Sequence, residues 1–402
     1  MIARSLLVVD AEVPLASVKQ GLEAKVPTRV AEERDHDIGM AGRLEYTVDR
    51  GAFTTSVQGD LLVVDTPLVA HVRACAKGSC YAGCEPEAKV SAKVPLRLGP
   101  DYRFRGVHVT IAVTRGCELR VMGGLVRLDV TSMVQERLAH ETRRIEASIE
   151  HELPDLRPEA ERIWGELGKP RPLPLGACVV LGPEGLVQGP ASGAGANARL
   201  RFGLLARPEL RMRCGDVPRT LPLPPLGDDP RLPAEGEIDL ALVLPPEAPA
   251  VALSGAEPFD IEGVGRARID AATGTMRALG VSLRGDVCGG MNVQSPDVAW
   301  TDDGKALRLL GVTPLPGEAE RVAAAGGDAA RLAAAIGRVP IVLPLAPDQL
   351  TVSLPELARG LSDDKVAVAA TVRDARPVGA GLRGDDVVAV VRLHGAATLT
   401  AR

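Results

Sequence analysis

The chain has 402 residues and a formal net charge of -5, with 46% hydrophobic and 25% charged residues. That balance suits a folded globular protein, the length exceeds one ordinary core and sets two domains as the expectation, and a weakly acidic chain has no electrostatic reason to seek nucleic acid or an acidic membrane surface. Aromatic residues make up only 2%, which excludes recognition by stacking on bases or sugars. No run reaches the ~20 apolar residues with which a helix crosses a bilayer.

Met1 leads almost at once into a strand-like segment, without the basic region and apolar stretch of a secretory leader. Two placements follow: a cytoplasmic protein, or an exported one whose signal is not part of this sequence. Seven cysteines are too many for a reduced compartment and favour export.

In chain order, Pro14 to Val26 reads as a short helix with Leu15, Val18 and Leu22 on one face and Pro14 in its first turn. From Lys89 to Leu98, Val90, Ala92, Val94, Leu96 and Leu98 alternate with polar residues, the period of a strand with one wet and one buried face. The same period returns at Val107 to Val113. Ser132 and Gln135 have capping-box spacing and open the longest predicted helix, about residues 132–153. Its narrow apolar stripe is Val134, Leu138, Ile145, Ile149 and Leu153. Glu146, Glu150 and other charges are assigned to its wet faces. Pro154 ends or kinks it, and a second helix is expected over residues 155–167.

The stretch Gly193 to Ala198 matches a loose GxGxxA pattern, but Arg199 to Leu205 after it reads as a strand, so the segment is a hairpin loop rather than a dinucleotide site. Residues 216–235 are Pro-rich and read as an extended linker between a first module, 1–215, and a second, 236–402. Beyond it, strand periods at Ile238 to Leu244, Val366 to Val372 and Val387 to Leu393 flank a helix at Glu318 to Ile336 that Gly326-Gly327 threatens to break. Both halves share an order of strand, short helix, strands, longer helix, strands. The fold class expected is α+β, mostly antiparallel β.

Three stretches carry a resemblance: VDAEVPLASVKQGLEAKVP (residues 9–27), GCELRVMGGLVRLDVTSMVQERLAHETRRIEASIEHELPDLRPEAERIW (116–164) and VVAVVRLHGAATL (387–399). Together they resemble an uncharacterised family of bacterial envelope proteins. Its architecture is similar to the tubular lipid-binding (TULIP) superfamily, which includes bactericidal/permeability-increasing protein and synaptotagmin-like SMP domains. The resemblance implies two modules in which curved antiparallel sheets wrap along long helices and enclose an elongated apolar groove. Leu15, Val18, Leu22, Val134, Leu138, Ile145, Ile149 and Leu153 are then the groove candidates. A periplasmic or outer-membrane-associated location goes with it. Scarce aromatics and the interrupted helix of the second half depart from that pattern.

Chemistry-bearing residues assemble into no motif. Cys75, Cys80, Cys84 and Cys117 lack the paired spacing of a zinc or iron–sulfur site and read as two disulfides. Cys178 and Cys214, at the outer ends of a hairpin, read as a third, leaving Cys288 as a buried free thiol. His36, His71, His108, His140, His151 and His394 form no HxxxH or HExxH pair and read as solvated. The expectation is a non-catalytic protein without cofactor or metal, whose partner is a lipid or another long apolar molecule, with envelope-protein or peripheral membrane contact as a further option. A structural or interaction protein with a filled core is the alternative.

Overall fold

The computed structural model describes residues 4–37, 43–76, 79–121, 126–173, 176–215, 222–343, 347–359 and 366–401. The fold is mostly antiparallel β with peripheral helices, the expected α+β class. Strand β1 (Ser5–Pro14) runs straight into helix α1 (Leu15–Lys25), with Pro14 as the N-cap rather than the first helical residue.

A seven-stranded sheet follows, built from β2 (Arg29–Asp37), β3 (Arg43–Arg50), β4 (Thr54–Gln58), β5 (Leu61–Ala76), β6 (Ser79–Cys84), β7 (Glu87–Pro95) and β8 (His108–Arg115). Its spine is β5, 16 residues long. One edge of β5 pairs first with β4 and then with β3; the other pairs first with β7 and then with β6. Pro67, which has no N–H to donate, falls where β4 pairing has ended and β3 pairing has not begun. Gly51 N–H donates to Pro67 O at that junction, and a Cβ on Gly51 would lie 2.6 Å from Pro67 Cγ. Only glycine permits that approach.

A small hairpin, β9 (Glu118–Val121) and β10 (Val126–Asp129), leads into α2 (Val130–Glu152), the longest helix, and α3 (Arg157–Leu167). The expected capping box at Ser132 and Gln135 is corrected: α2 starts two residues earlier, and the Asp129 side chain accepts from Ser132 N–H. A carboxylate bearing on the first-turn amides is the stronger cap. Pro154 follows the helix end, as expected, and Trp164 of α3 is buried.

The central sheet draws on the whole chain. Its order is 171–172, 178–180, 209–211, 236–244, 386–401, β1, 197–206, 183–188 and 227–228, with 366–383 paired to 386–401 and 192–194 to 197–206. One edge of the C-terminal strand Asp386–Ala401 pairs with Gly236–Leu244 and then with β1, while its other edge is covered by Val366–Arg383, so strands from both sides of the Pro-rich segment share one sheet. That segment is itself packed. Leu226 and Leu232 are buried, Tyr102 Oη donates to Pro224 O at 2.8 Å, and Gly227–Asp228 pairs with Val187–Gln188.

The largest core belongs to the second half. Leu253, Val293, Leu307, Ile336 and Val391 are fully buried there, between the strands Gly265–Thr275, Ala278–Gly285 and Gly289–Gln294 and the helices Ala248–Ser254 and Ala329–Arg338. The helix expected over Glu318 to Ile336 is two, Glu318–Ala324 and Ala329–Arg338, broken where Gly326 takes φ 77°.

Candidate functional site: an apolar strip under helix α2

Cross-strand register puts one aliphatic set on one face of the seven-stranded sheet. On β5 this face carries Leu62, Val64, Thr66, Leu68, Ala70, Val72 and Ala74, and Thr66 Oγ1 is bonded to Gly51 O at 3.1 Å. Opposite them lie Tyr46 and Val48 of β3, Ala88, Val90, Ala92 and Val94 of β7, and beyond these Val109, Ile111 and Val113 of β8. The alternating run recognised in the sequence at Val90 to Val94 belongs to this face. The strip is roughly 40 Å long, from twelve residue steps along β5.

Helix α2 spans a similar length, roughly 35 Å, and is anchored at both ends. Val130 joins the cluster of Leu44, Val72, Ala74 and Leu119. Ile145, Ile149 and Leu153 join Leu62, Val94, Val107 and Val109. Between the anchors, Val48, Val64, Leu68, Ala70, Val90 and Ile111 are only half-buried. The side chains of Val134 and Leu138 lie outside the described ones. Leu15 is separate, packed with Leu96, Ala191 and Ala198, while Val18 and Leu22 are half-buried on a helix with no buried residue. Of the α1 candidates only Leu15 joins a hydrophobic cluster, and that cluster meets the one holding Ile145, Ile149 and Leu153 through Leu62 alone.

Two residues assigned to the wet faces of α2 have another role. Glu150 accepts from the N–H groups of Gly106 and Val107 at 2.7 and 3.0 Å, and Glu146 from Val109 N–H at 2.8 Å. Val109 is an edge donor of β8, the last strand of the sheet, and Gly106 and Val107 lead directly into it. The sequence offers only two glutamates four apart, each one residue past an isoleucine of the stripe, a pattern that a wet helix face shares.

The opposite sheet face is mixed, with Asp65, Lys89, Ser91 and Lys93 beside Leu61, Val63 and Val69. A cavity of about 320 Å³ lies there, lined by residues that include Thr54, Asp65, Pro67, Lys89 and Thr114. Burial pushes the Asp65 carboxyl up, but bonds from Lys89, at 2.9 Å, and Ser91 outweigh it and hold the group below its ordinary value.

All six expected disulfide cysteines pair: Cys75–Cys80, Cys84–Cys117 and Cys178–Cys214. The Glu45 carboxylate lies beside Cys75 and Cys80, whose sulfurs are bonded to each other and offer no thiolate to a metal. Cys288 is a free thiol but exposed, not buried, because it sits at the tip of a hairpin. His394 is not simply solvated: Nδ1 is 2.7 Å from Asp374 and Nε2 is 3.2 Å from Glu237, on the two flanking strands. His71 meets Glu85 and His108 meets Glu146, His151 is exposed, and the side chains of His36 and His140 lie outside the described ones. Gly193 to Ala198 is a hairpin turn with Gly195 at φ 61°.

The family model described as "Domain of unknown function (DUF4403)" matches residues 3–247, more than half of the chain. The chain belongs to this family. No curated protein matches it. Among solved structures, P47 of Clostridium botulinum E1 aligns over 96% of this chain and 98% of its own at 6% identity. The TM-score of 0.22 is too low to carry an argument. Three disulfides point this DUF4403 chain to an oxidising, extracytoplasmic compartment.

Proposed function

We propose that this protein is a non-catalytic binder or carrier of a lipid or other long apolar molecule in the bacterial cell envelope, with the cargo lying between α2 and the aliphatic face of the seven-stranded sheet. The observation that carries the reading is the half-buried strip of Val48, Val64, Leu68, Ala70, Val90 and Ile111. A strip so poor in hydrogen-bonding side chains selects for length and apolarity, at ~0.8 kcal/mol per buried CH₂. The resemblance to tubular lipid-binding proteins supports the same reading, and the disulfides fit a periplasmic or outer-membrane-associated site. We assign the groove to the first half alone. The interior of the second half is filled by its own side chains, from Leu253 to Val391, and we give that half a structural role.

The test is native mass spectrometry of the purified protein before and after organic extraction, with titration of a fluorescent fatty acyl probe. Co-purifying lipid and saturable probe binding, lost in Ile149→Glu, are expected, because a carboxylate there faces acyl chain in a low-dielectric cleft. A clean apo mass together with no probe binding would sink the proposal and leave a structural protein.

A further inference from the structure

We infer that Glu146 and Glu150 are positioning residues that clamp α2 along the free edge of β8, closing that side of the strip, so that a bound amphiphile keeps its polar headgroup in water at the β2–β3 side. The inference rests on the lipid-binding reading for the cargo but not for the clamp. An exposed edge strand offers a row of unpaired N–H groups, and on β8 two carboxylates do the work of a missing strand. Geometry makes the match regular. Four residues of helix rise about 6 Å, and two residues of strand advance about 6.6 Å. Successive acids four apart on α2 therefore meet successive amides two apart at the start of β8 and just before it, running in opposite directions: Glu150 with Val107, Glu146 with Val109. Ile145 and Ile149, one residue before each acid, face inward on the strip. One helix carries an aliphatic stripe toward the cargo and an acidic stripe toward the seam.

The other margin differs. Helices meet β3 at its two ends, Val130 of α2 against Leu44 and Glu23 of α1 on Arg50, and between them Val48 is half-buried and its cross-strand partner Ala31 is exposed. The rim there is Arg29, Glu32 and Arg34, all exposed and of mixed charge. An acyl chain reaches the strip from that side without breaking a backbone bond, and a hydrated headgroup finds water and charges of both signs.

The clamp is read by amide exchange on the full chain. In Glu146→Ala/Glu150→Ala, exchange at Val107 and Val109 is expected to accelerate at least tenfold. Glu146→Gln/Glu150→Gln keeps an acceptor oxygen at each position and should recover most of the protection. Unchanged exchange in the folded alanine pair overturns the clamp, and so does a glutamine pair no better protected than the alanine pair. The mouth is read in a Cys288→Ser background. A bulky maleimide on Ala31→Cys should weaken fatty acyl probe binding at least tenfold, and the same adduct on Thr110→Cys, on the polar face of β8, should not. Equal binding with both adducts overturns the mouth. A parent protein that takes up no probe sinks the lipid reading and the mouth with it, leaving amide exchange to decide the clamp.

Discussion

Leu253 and Ile145 are both aliphatic members of hydrophobic clusters, yet their surroundings differ. Leu253 is 0% exposed in the second-half core, whereas Ile145 is half-buried on the inner side of α2. Leu253→Ala leaves a cavity in a close-packed interior and should cost about 2–5 kcal/mol. Ile145→Ala removes similar atoms from a wall already open on one side, so about 1–2 kcal/mol, the transfer part of the cost, is expected. Urea denaturation of both variants checks the contrast, and equal losses would mean that the strip is packed core. Glu318 supplies a pH dependence. Bonds from Arg321, then from the backbone and side-chain nitrogens of Asn292, hold its carboxyl down from 4.5 to about 2. A depressed acid contributes stability that is fully present above its unfolded value and lost as pH falls toward the folded one. Wild-type stability should therefore fall between about pH 4.5 and 2 more steeply than that of Glu318→Gln, by thermal melts across that range.

At the scale of elements, α2 shows why helix boundaries were harder to read than helix existence. Ser132 and Gln135 have the right spacing for a cap, but Asp129, three residues before Ser132, accepts its amide. The hairpin β9–β10 set the helix start by ending at Asp129. The helix break at Gly326 was visible because positive φ is a property of one residue. Replacing Gly326 with alanine should cost about 1–2 kcal/mol, the price of a Cβ in the left-handed region, as measured by urea denaturation. Disulfides were legible as a number of bridges, but which of Cys75, Cys80, Cys84 and Cys117 pair was not; Cys84–Cys117 closes a 33-residue separation. Loss of that second bridge in Cys84→Ser/Cys117→Ser should cost about 3–4 kcal/mol on the loop-entropy model. A melting temperature unchanged from wild type would show that the loop is held by its other contacts.

For the whole molecule the consequential feature is that one edge of Asp386–Ala401 pairs with both Gly236–Leu244 and β1. Glu209 adds a tie across the same halves. Burial pushes its carboxyl up, but Arg383 and Arg211 outweigh that and keep it ionised. A fragment of residues 3–247, the span of the family match, would expose two strand edges that the C-terminal strand covers. Such edges are templates for aggregation, so that fragment should be insoluble or lack a cooperative melt. Co-expression with residues 248–402 should restore a soluble complex. A fragment that folds cooperatively alone would make the two halves independent domains.

Local order was readable because it repeats every two or 3.6 residues: the strand of Val90 to Val94, the stripe of Ile145, Ile149 and Leu153, and the stop at Pro154 all follow from side-chain period and proline chemistry. So did the disulfide chemistry of six cysteines, which needs only sulfur count and compartment. Tertiary structure alone decided what each face meets. Glu146 and Glu150 look like any charges on a wet helix until the edge of β8 lies beside them. His394 looks solvated until strands far apart in the chain bring Asp374 and Glu237 to its two nitrogens. The shared central sheet was equally hidden, because strand pairing is a contact between distant segments and leaves no period in either one.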